Sequence, residues 1–361
     1  KDFLTVLDFI GAQRKEFRFA QRFRALSAQI SSNVTREVEQ GFPFLPSGCL
    51  IRLEKAAQER VLENIRQNLA LRRDRVVEEI GALGRQHKRV PSIQEACEHL
   101  NCELDDILRR GLWADLIADA RLAPKMQCPE NEKLARSLRR LSHIDDVHRI
   151  RWCLDWLSHV PLRLAESGKL AERYEAMLQI MLWGDASKGW TRAQALEQLG
   201  KNPAAQQSLR AVLLYLKEHA QFAGHPLDPT RYGPLVLHAA YTREEVLTAL
   251  GHWDISKRPE SREGVLHLPE PKLDVFFVTI NKTDGTFSPT TMYKDYAVSE
   301  SLFHWQSQST TSEESETGKR YIQHLSRGYQ PLLFVREHQK LPNDLTCPYA
   351  FLGPLRYKSH H

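Results

Sequence analysis

The sequence contains no long hydrophobic run. None of its apolar stretches approaches the ~18–20 residues that a membrane-spanning helix requires, although 42% of its 361 residues are hydrophobic and 26% are charged. This composition is typical of a globular protein with enough apolar material for its cores. The first residue is Lys1, and no basic segment with an apolar leader follows it. We therefore expect a fragment of a longer cytoplasmic polypeptide that does not contact a membrane.

Sequence motifs of catalysis are also missing. The chain has neither Gly-x-x-x-x-Gly-Lys-Ser/Thr, which cradles nucleotide phosphates, nor the dinucleotide-binding Gly-x-Gly-x-x-Gly. His-Glu-x-x-His and Gly-x-Ser-x-Gly are absent as well, so zinc proteases and α/β-hydrolases have no support. We expect no catalytic residue, no bound cofactor and no enzymatic activity in this fragment.

Metal-binding patterns are lacking in the same way. The six cysteines include no Cys-x-x-Cys pair and no Cys/His spacing typical of zinc, so we expect reduced, mostly buried thiols. Asp145 and Asp146 lie between His143 and His148 and spread around more than one face of a helix. That arrangement favours helix capping and solvation over metal binding, and we predict no metal site.

The positive charge is modest and unevenly distributed. The chain has 50 Lys and Arg residues against 45 acidic ones, and the net charge of +5 does not by itself indicate nucleic acid. Basic side chains concentrate in the segments 14–24 and 133–151. Such clusters suit phosphate contacts, but the solvated face of a helix has the same composition, so both interpretations stay open.

Helical periodicity dominates the first two thirds of the chain. An apolar run at 3–10 predicts a buried strand. Residues 92–122 predict two or three short helices, and we favour a plain helical hairpin over a DNA-binding helix-turn-helix because neither helix carries an obvious base-reading face. Further helices are predicted at 130–142, 145–158, 162–184 and 191–219. A proline- and glycine-rich linker follows at 225–234.

The last third of the chain has the pattern of β-strands. Thr242 and Glu245 form a capping box for one helix, and a second helix is predicted at Thr317–Ser326. The predicted strands are 264–268, 273–280, 302–308, 331–336 and 349–353. The fold class is therefore α+β: an N-terminal all-helical region followed by a small mixed β-barrel with one or two helices.

The most informative stretch runs from Ser288 to Gln308. It places four aromatic side chains, one histidine and two glutamines between two apolar strands. Aromatic planes beside amide and hydroxyl groups can hold a flat polar ring, such as a base lifted out of a nucleic-acid stack. The alternative is an ordinary barrel core, and composition alone favours that alternative.

Residues 272–353 resemble the C-terminal domain of SauUSI-type, modification-dependent type IV restriction enzymes and related superfamily 2 helicase-like proteins. The similar segments are Asp274–Lys282, Phe287–Tyr296, Ser299–Gln308, Thr317–Tyr321, Leu332–Glu337 and Tyr349–Gly353. Upstream, Leu4–Gly11 and Arg14–Phe19 are similar to the segment after the second RecA-like lobe of these helicases. We therefore expect a lobe tail and connector at 1–48, a helical coupling domain at 49–224, and a β-rich recognition domain at 225–361 that is truncated at its C-terminus.

The resemblance implies a DNA-binding target-recognition module of an ATP-dependent restriction or helicase-type enzyme. Its barrel would be PUA-like or SRA-like and would sense 5-methyl- or 5-hydroxymethylcytosine. The expected partners are double-stranded DNA and the helicase and nuclease domains of the same polypeptide, with ATP and Mg²⁺ acting in the missing motor. The alternative is a protein–protein coupling module of a helicase-like defence protein that reads no base directly.

The predicted base pocket and phosphate contacts lie in and near the aromatic stretch. The pocket residues are Tyr293, Asp295, Tyr296, Phe303, His304, Trp305, Gln306, Ser307 and Gln308. Their rings would stack on an extruded base and their polar groups would read its edge. Because side chains alternate along a strand, His304 and Trp305 cannot both face one pocket. The predicted phosphate contacts are Lys282, Lys294, Lys319 and Arg320.

Overall fold

The computed structural model describes most of the chain from residue 72 onward. The described residues are 38, 51–54, 57–62, 72–100, 102–166, 170–220, 224–260, 264–281, 295–307, 311–341 and 343–360. The predicted strand at 3–10 and the basic segment at 14–24 lie outside them. Two compact units are present, Lys1–Val76 with Lys340–Leu345 and Val77–Gln339 with Thr346–His361, and the second is the subject below. No helix in the described ranges is long and apolar enough to cross a membrane.

The first part of the second unit is all-helical, as predicted. Its helices are α1 (Arg73–His87), whose residues up to Val76 are counted with the first unit, α2 (Ile93–Leu100), α3 (Leu104–Leu108), α4 (Trp113–Asp119), α5 (Asn131–Arg140), α6 (Val147–Trp156), α7 (Leu170–Trp183), α8 (Arg192–Gly200) and α9 (Pro203–His219). The predicted helix over 191–219 is two helices. Pro203 has no amide N–H with which to continue α8, and it occupies the first turn of α9 instead.

The predicted helix over 162–184 begins later than expected, because side chains bind the backbone groups that a helix would use. The Trp156 Nε1–H donates to the Arg163 carbonyl at 2.7 Å, and the Ala165 N–H donates to the Glu175 carboxylate at 2.6 Å. Helix α7 then starts at Leu170, and its residues from Tyr174 to Trp183 are all buried. This helix is the central element of the helical part, where it contacts α5, α6, α8 and a helix of the β-rich part.

The β-rich part contains a five-stranded sheet with two short pairs of strands beside it. Its elements are β1 (His225–Pro226), α10 (Pro229–Tyr232), β2 (Val236–Leu237), β3 (Ala240–Tyr241), α11 (Arg243–Ala249), β4 (Val265–Leu268), β5 (Leu273–Thr279), β6 (Tyr296–Ser299), β7 (Leu302–His304), α12 (Glu316–Ile322), α13 (His324–Arg327), β8 (Gln330–Arg336) and β9 (Tyr349–Pro354). The sheet order is β3-β9-β8-β5-β4, with β5 and β8 parallel and the other pairs antiparallel. The α+β class is confirmed. Over the described strands the order has two different ends, β3 and β4, and no closed barrel is found.

Two predicted elements are shorter than the sequence suggested. The strand predicted over 302–308 stops at His304, because its partner β6 has only four residues and their pairing ends at Tyr296 opposite His304. The helix predicted at Thr317–Ser326 divides into α12 and α13 at Gln323, which lies between them with non-helical backbone angles. The strands predicted at 264–268, 273–280, 331–336 and 349–353 and the capping box of Thr242 with Glu245 are confirmed.

Both faces of the sheet are covered, which is why every residue of β5 is buried. Leu273, Val275 and Phe277 point to one face and join the main core under α11 and α7. Asp274, Phe276 and Val278 point to the opposite face, because successive side chains of a strand alternate. That second face carries the smaller apolar cluster, and the aromatic stretch packs there.

Candidate nucleic-acid interface

The second face of the sheet supports a layer of aromatic rings. Its apolar floor consists of Val265, Phe276, Val278, Leu333 and Val335. Four partly buried side chains pack on that floor: Phe303, Trp305, Tyr321 and Leu355. Two of the predicted pocket residues, Phe303 and Trp305, therefore rest on the sheet, and both remain half-buried rather than fully enclosed.

Trp305 is held by two aromatic neighbours. Its ring stacks on Phe276 with centroids 4.4 Å apart and an interplanar angle of 14°. Tyr321 of α12 meets both rings edge-on, at 5.5 Å from Trp305 and 5.3 Å from Phe276. Offset stacking and edge-to-face contacts are the favourable arrangements for such rings. Trp305 is thus part of the packing of this face, and only its remaining exposed surface is accessible to a ligand.

The hairpin of β6 and β7 exposes a second aromatic pair. Tyr296 lies opposite His304 in the hairpin, with ring centroids 4.9 Å apart and planes tilted by 31°. All four residues of β6 are exposed, and the Tyr296 side chain is 50% exposed. The neighbouring Val298 is 53% exposed. The Tyr296 ring and the Val298 side chain on β6 are therefore accessible from outside the protein, and the half-buried His304 ring on β7 is partly accessible.

A buried carboxylate ties the two ends of this hairpin together. Asp295 is 7% exposed, and its Oδ1 accepts a hydrogen bond of 2.9 Å from the backbone N–H of Gln306. The Gln306 side chain is exposed and Ser307 is half-buried. The structure therefore brings Asp295, Gln306 and Ser307 close to the Tyr296–His304 pair. Four other predicted residues, Lys282, Tyr293, Lys294 and Gln308, lie outside the described residues.

The two remaining predicted phosphate contacts lie on α12 and differ in environment. Lys319 is half-exposed, with its Nζ 3.5 Å from a carboxylate oxygen of Glu314. Arg320 is largely buried, and its Nε donates to both carboxylate oxygens of Asp274 at 3.0 and 3.1 Å. Its two terminal nitrogens make no hydrogen bond with the described residues. Arg320 therefore has its charge balanced by Asp274.

Asp274 is a feature of this face that sequence reasoning missed. It is fully buried in β5, and besides Arg320 it has His267 of β4, whose Nδ1 is 3.0 Å from Oδ1. The ring of Tyr329 lies 5.3 Å from His267 and 5.8 Å from the Arg320 guanidinium. The sequence does contain a signal for it, a single carboxylate within an apolar strand. Because a buried charge requires a partner, that carboxylate predicts a basic side chain beside the strand.

The capping role predicted for Asp145 and Asp146 is confirmed for Asp146, whereas its predicted solvation is wrong, because Asp146 is only 4% exposed. Asp146 is the N-cap of α6, and its Oδ1 accepts hydrogen bonds from the backbone N–H groups of His148 and Arg149 at 2.9 and 3.2 Å. Asp145 accepts a hydrogen bond of 2.9 Å from the backbone N–H of Ala240. Both carboxylates therefore fix backbone groups.

The fold and the exposed hairpin define an α+β domain with an aromatic face beside a helical bundle. Residues 235–361 match a family described as a domain of unknown function, DUF3427, which occurs at the C-termini of helicase-like proteins. The match begins just before β2 and includes the five-stranded sheet, the hairpin and α12. A search of curated proteins finds no match to the chain.

Proposed function

We propose that this chain binds DNA as the recognition module of a helicase-type restriction enzyme. The hairpin carries the proposal, because it places the exposed ring of Tyr296 and the half-buried ring of His304 beside the exposed residue Gln306. Flat rings next to hydrogen-bonding groups suit a base that has left the stack. The match of residues 235–361 to a C-terminal domain of helicase-like proteins supports the same role, since such a domain belongs to a nucleic-acid motor.

The proposed target is cytosine with a 5-methyl or 5-hydroxymethyl group, as in the SauUSI-type enzymes that residues 272–353 resemble. Burial of a methyl group contributes only about 0.8 kcal/mol, so selectivity requires an apolar recess that fits it. Val298, which is 53% exposed on the same strand as Tyr296, supplies an apolar side chain for such a recess. The proposal includes a PUA-like or SRA-like barrel, and a parent protein whose motor uses ATP and Mg²⁺.

The test is binding of the chain to matched duplexes that carry unmodified, 5-methyl- or 5-hydroxymethylcytosine, at two salt concentrations. The expected result is tighter binding to one modified duplex, and loss of that preference in Tyr296→Ala. Tyr215→Ala is the matched control, because Tyr215 forms a similar stack with His219 on α9, with centroids 4.0 Å apart. This control is expected to keep the preference of the unaltered chain.

Two results would contradict the proposal. Binding without any preference among the three duplexes would remove modified cytosine as the target. No binding even at low salt would remove DNA recognition altogether, because phosphate contacts strengthen as salt falls. The second result would favour the alternative function, a module that couples protein domains of a helicase-like defence protein.

A further inference from the structure

The helical part contains a concave groove of about 320 Å³ between α3 and α5. Its lining is dominated by arginine, with Arg109 and Arg110 from the end of α3 and Arg136 and Arg139 from α5. The other lining residues are Leu108, Gly111, Asn131, Glu132 and Ala135. The hairpin of the β-rich part contributes no residue to it, so this groove is a separate feature of the molecule.

The local sequence explains why four arginines meet at this place. On α5, Leu134 and Leu138 are buried, which leaves Arg136 and Arg139, three residues apart, on the outward side of the helix. After α3 the chain turns at Gly111, whose φ of +129° is a conformation that favours glycine. The first turn of α5 adds Asn131 and Glu132 to the lining, so the positive end of that helix dipole is at the groove.

Asp105 holds two of these arginines in position. Its carboxylate accepts hydrogen bonds from Arg109 Nε and from Arg139 Nε, both at 2.8 Å. Burial raises the pKa of the Asp105 carboxyl, but the hydrogen bonds from the two arginines outweigh burial, and the pKa lies below its ordinary value. The carboxylate therefore stays ionised at neutral pH, and both guanidinium groups are fixed before any ligand arrives.

The groove keeps an excess of positive charge. Among the described lining residues, four are arginines and one, Glu132, is acidic, and the Asp105 carboxylate lies behind them. Arg136 is exposed, and its Nε donates to the Glu132 carbonyl at 3.2 Å. The two terminal nitrogens of Arg136 make no hydrogen bond with any residue in the described ranges. A guanidinium fork with available donors matches the oxygens of a phosphate group.

We propose that this arginine groove binds the phosphodiester backbone of a nucleic-acid strand, an inference that rests on the DNA-binding function proposed above and adds a contact separate from base reading at the hairpin. Among the described residues, the lining consists of arginines and small, polar or aliphatic side chains without an aromatic ring on which a base could stack, so the proposed contact is to the backbone and insensitive to sequence. Arg109 and Arg136 are exposed at the edge of the groove. The groove is therefore open to solvent, and a nucleic-acid strand could pass along it without ending there.

The test compares Arg136→Gln with Arg210→Gln in the full chain. Arg210 is an exposed arginine of α9 that does not line the groove, so its substitution removes the same charge elsewhere in the helical part. Binding to unmodified and modified duplexes is measured across a salt series. Loss of one phosphate contact is expected to lower the slope of log K against log salt by about one in Arg136→Gln. The slope in Arg210→Gln is expected to stay unchanged.

The proposal also requires that Arg136→Gln weaken all duplexes by the same factor, because a backbone contact carries no base information. An Arg136→Gln slope equal to that of Arg210→Gln would overturn the proposal. A change in the ratio of modified to unmodified binding would overturn it as well. If the hairpin reads the base, Tyr296→Ala changes the ratio of modified to unmodified binding and leaves the slope of log K against log salt unchanged. The two variants therefore test the hairpin proposal and the groove proposal separately.

Discussion

Arg149 of α6 and Glu245 of α11 form a buried ion pair that joins the helical part to the β-rich part. The guanidinium Nη1 lies 2.6 Å from the carboxylate Oε1, and the two side chains are 1% and 0% exposed. The second carboxylate oxygen of Glu245 receives the Thr242 backbone N–H at 2.7 Å and lies 2.7 Å from His143 Nε2. One carboxylate therefore caps its own helix and also binds two side chains of the helical part.

We expect Glu245→Gln to destabilise the protein strongly. The substitution nearly preserves shape but leaves the Arg149 guanidinium buried without an opposite charge, and breaking a buried pair in this way costs about 3–5 kcal/mol. Denaturant unfolding measures the change. Glu197→Gln is the control, since its partner Lys201 lies 2.7 Å away on an exposed helix face, and such surface pairs contribute about 0–1 kcal/mol. An equal decrease in the free energy of unfolding in Glu245→Gln and Glu197→Gln would contradict the structural role of the Arg149–Glu245 pair.

The same pair predicts how stability depends on pH. Burial raises the pKa of the Glu245 carboxyl, but Arg149 and His143 outweigh it and hold the pKa far below its usual range. A depressed pKa adds stability above the unfolded-state value, about 4.3, and that stability is lost as pH falls below it. The free energy of unfolding should therefore fall between pH 6 and pH 3 more steeply in the unaltered chain than in Glu245→Gln. If denaturant unfolding gave the same pH dependence of stability for the unaltered chain and for Glu245→Gln, the depressed pKa of Glu245 would not be the cause.

Local sequence patterns were enough to predict the contacts of Glu245 with residues close to it in the sequence. The capping box of Thr242 and Glu245 was predictable because both residues lie within one helical turn. The pairing of Glu245 with Arg149 was not, because it depends on the packing of α6 against elements almost a hundred residues later. Helix and strand positions follow from periodicity, whereas partners across the fold do not.

The sheet and the candidate site show the same limit. Apolar runs located β5 and β8, but their parallel pairing, with Phe276 opposite Leu333, has no signature in either run. Trp305 was predicted as a base-stacking residue from its aromatic neighbours in sequence. Its stack on Phe276 and its edge contact with Tyr321 come from separate elements and became visible only in the fold.

Trp305 and Tyr296 are therefore expected to differ when each is replaced by alanine. Trp305→Ala removes a half-buried ring that packs on the sheet, and the cost of truncating a fully buried aromatic, about 3–5 kcal/mol, is the upper bound for this loss. Tyr296→Ala removes an exposed ring, and surface substitutions mostly stay within about 0.5 kcal/mol. Denaturant unfolding of both variants measures the difference. A Tyr296→Ala loss as large as that of Trp305→Ala would show that the hairpin ring is structural, and Tyr296 would no longer be a specific probe of binding.

The start of α12, which carries Lys319 and Arg320, depends on a close approach at Gly318. A methyl group at this position would lie 2.0 Å from the Ser312 carbonyl oxygen and 2.9 Å from its carbon, both backbone atoms that cannot turn aside. Gly318→Ala is therefore expected to destabilise the protein by about 1–3 kcal/mol, the usual result of forcing extra volume into a packed site.

Gly200→Ala is the matched control for that prediction. Gly200 is the last residue of α8, and a methyl group there would meet nothing within 4 Å. Alanine loses less backbone entropy than glycine on folding, so this substitution is expected to leave the stability unchanged or to raise it by up to about 1 kcal/mol. Thermal or denaturant unfolding of both variants gives the comparison. If Gly318→Ala were as stable as Gly200→Ala, the segment before α12 would have to be free to move away, and the anchoring of Arg320 against Asp274 would need another explanation.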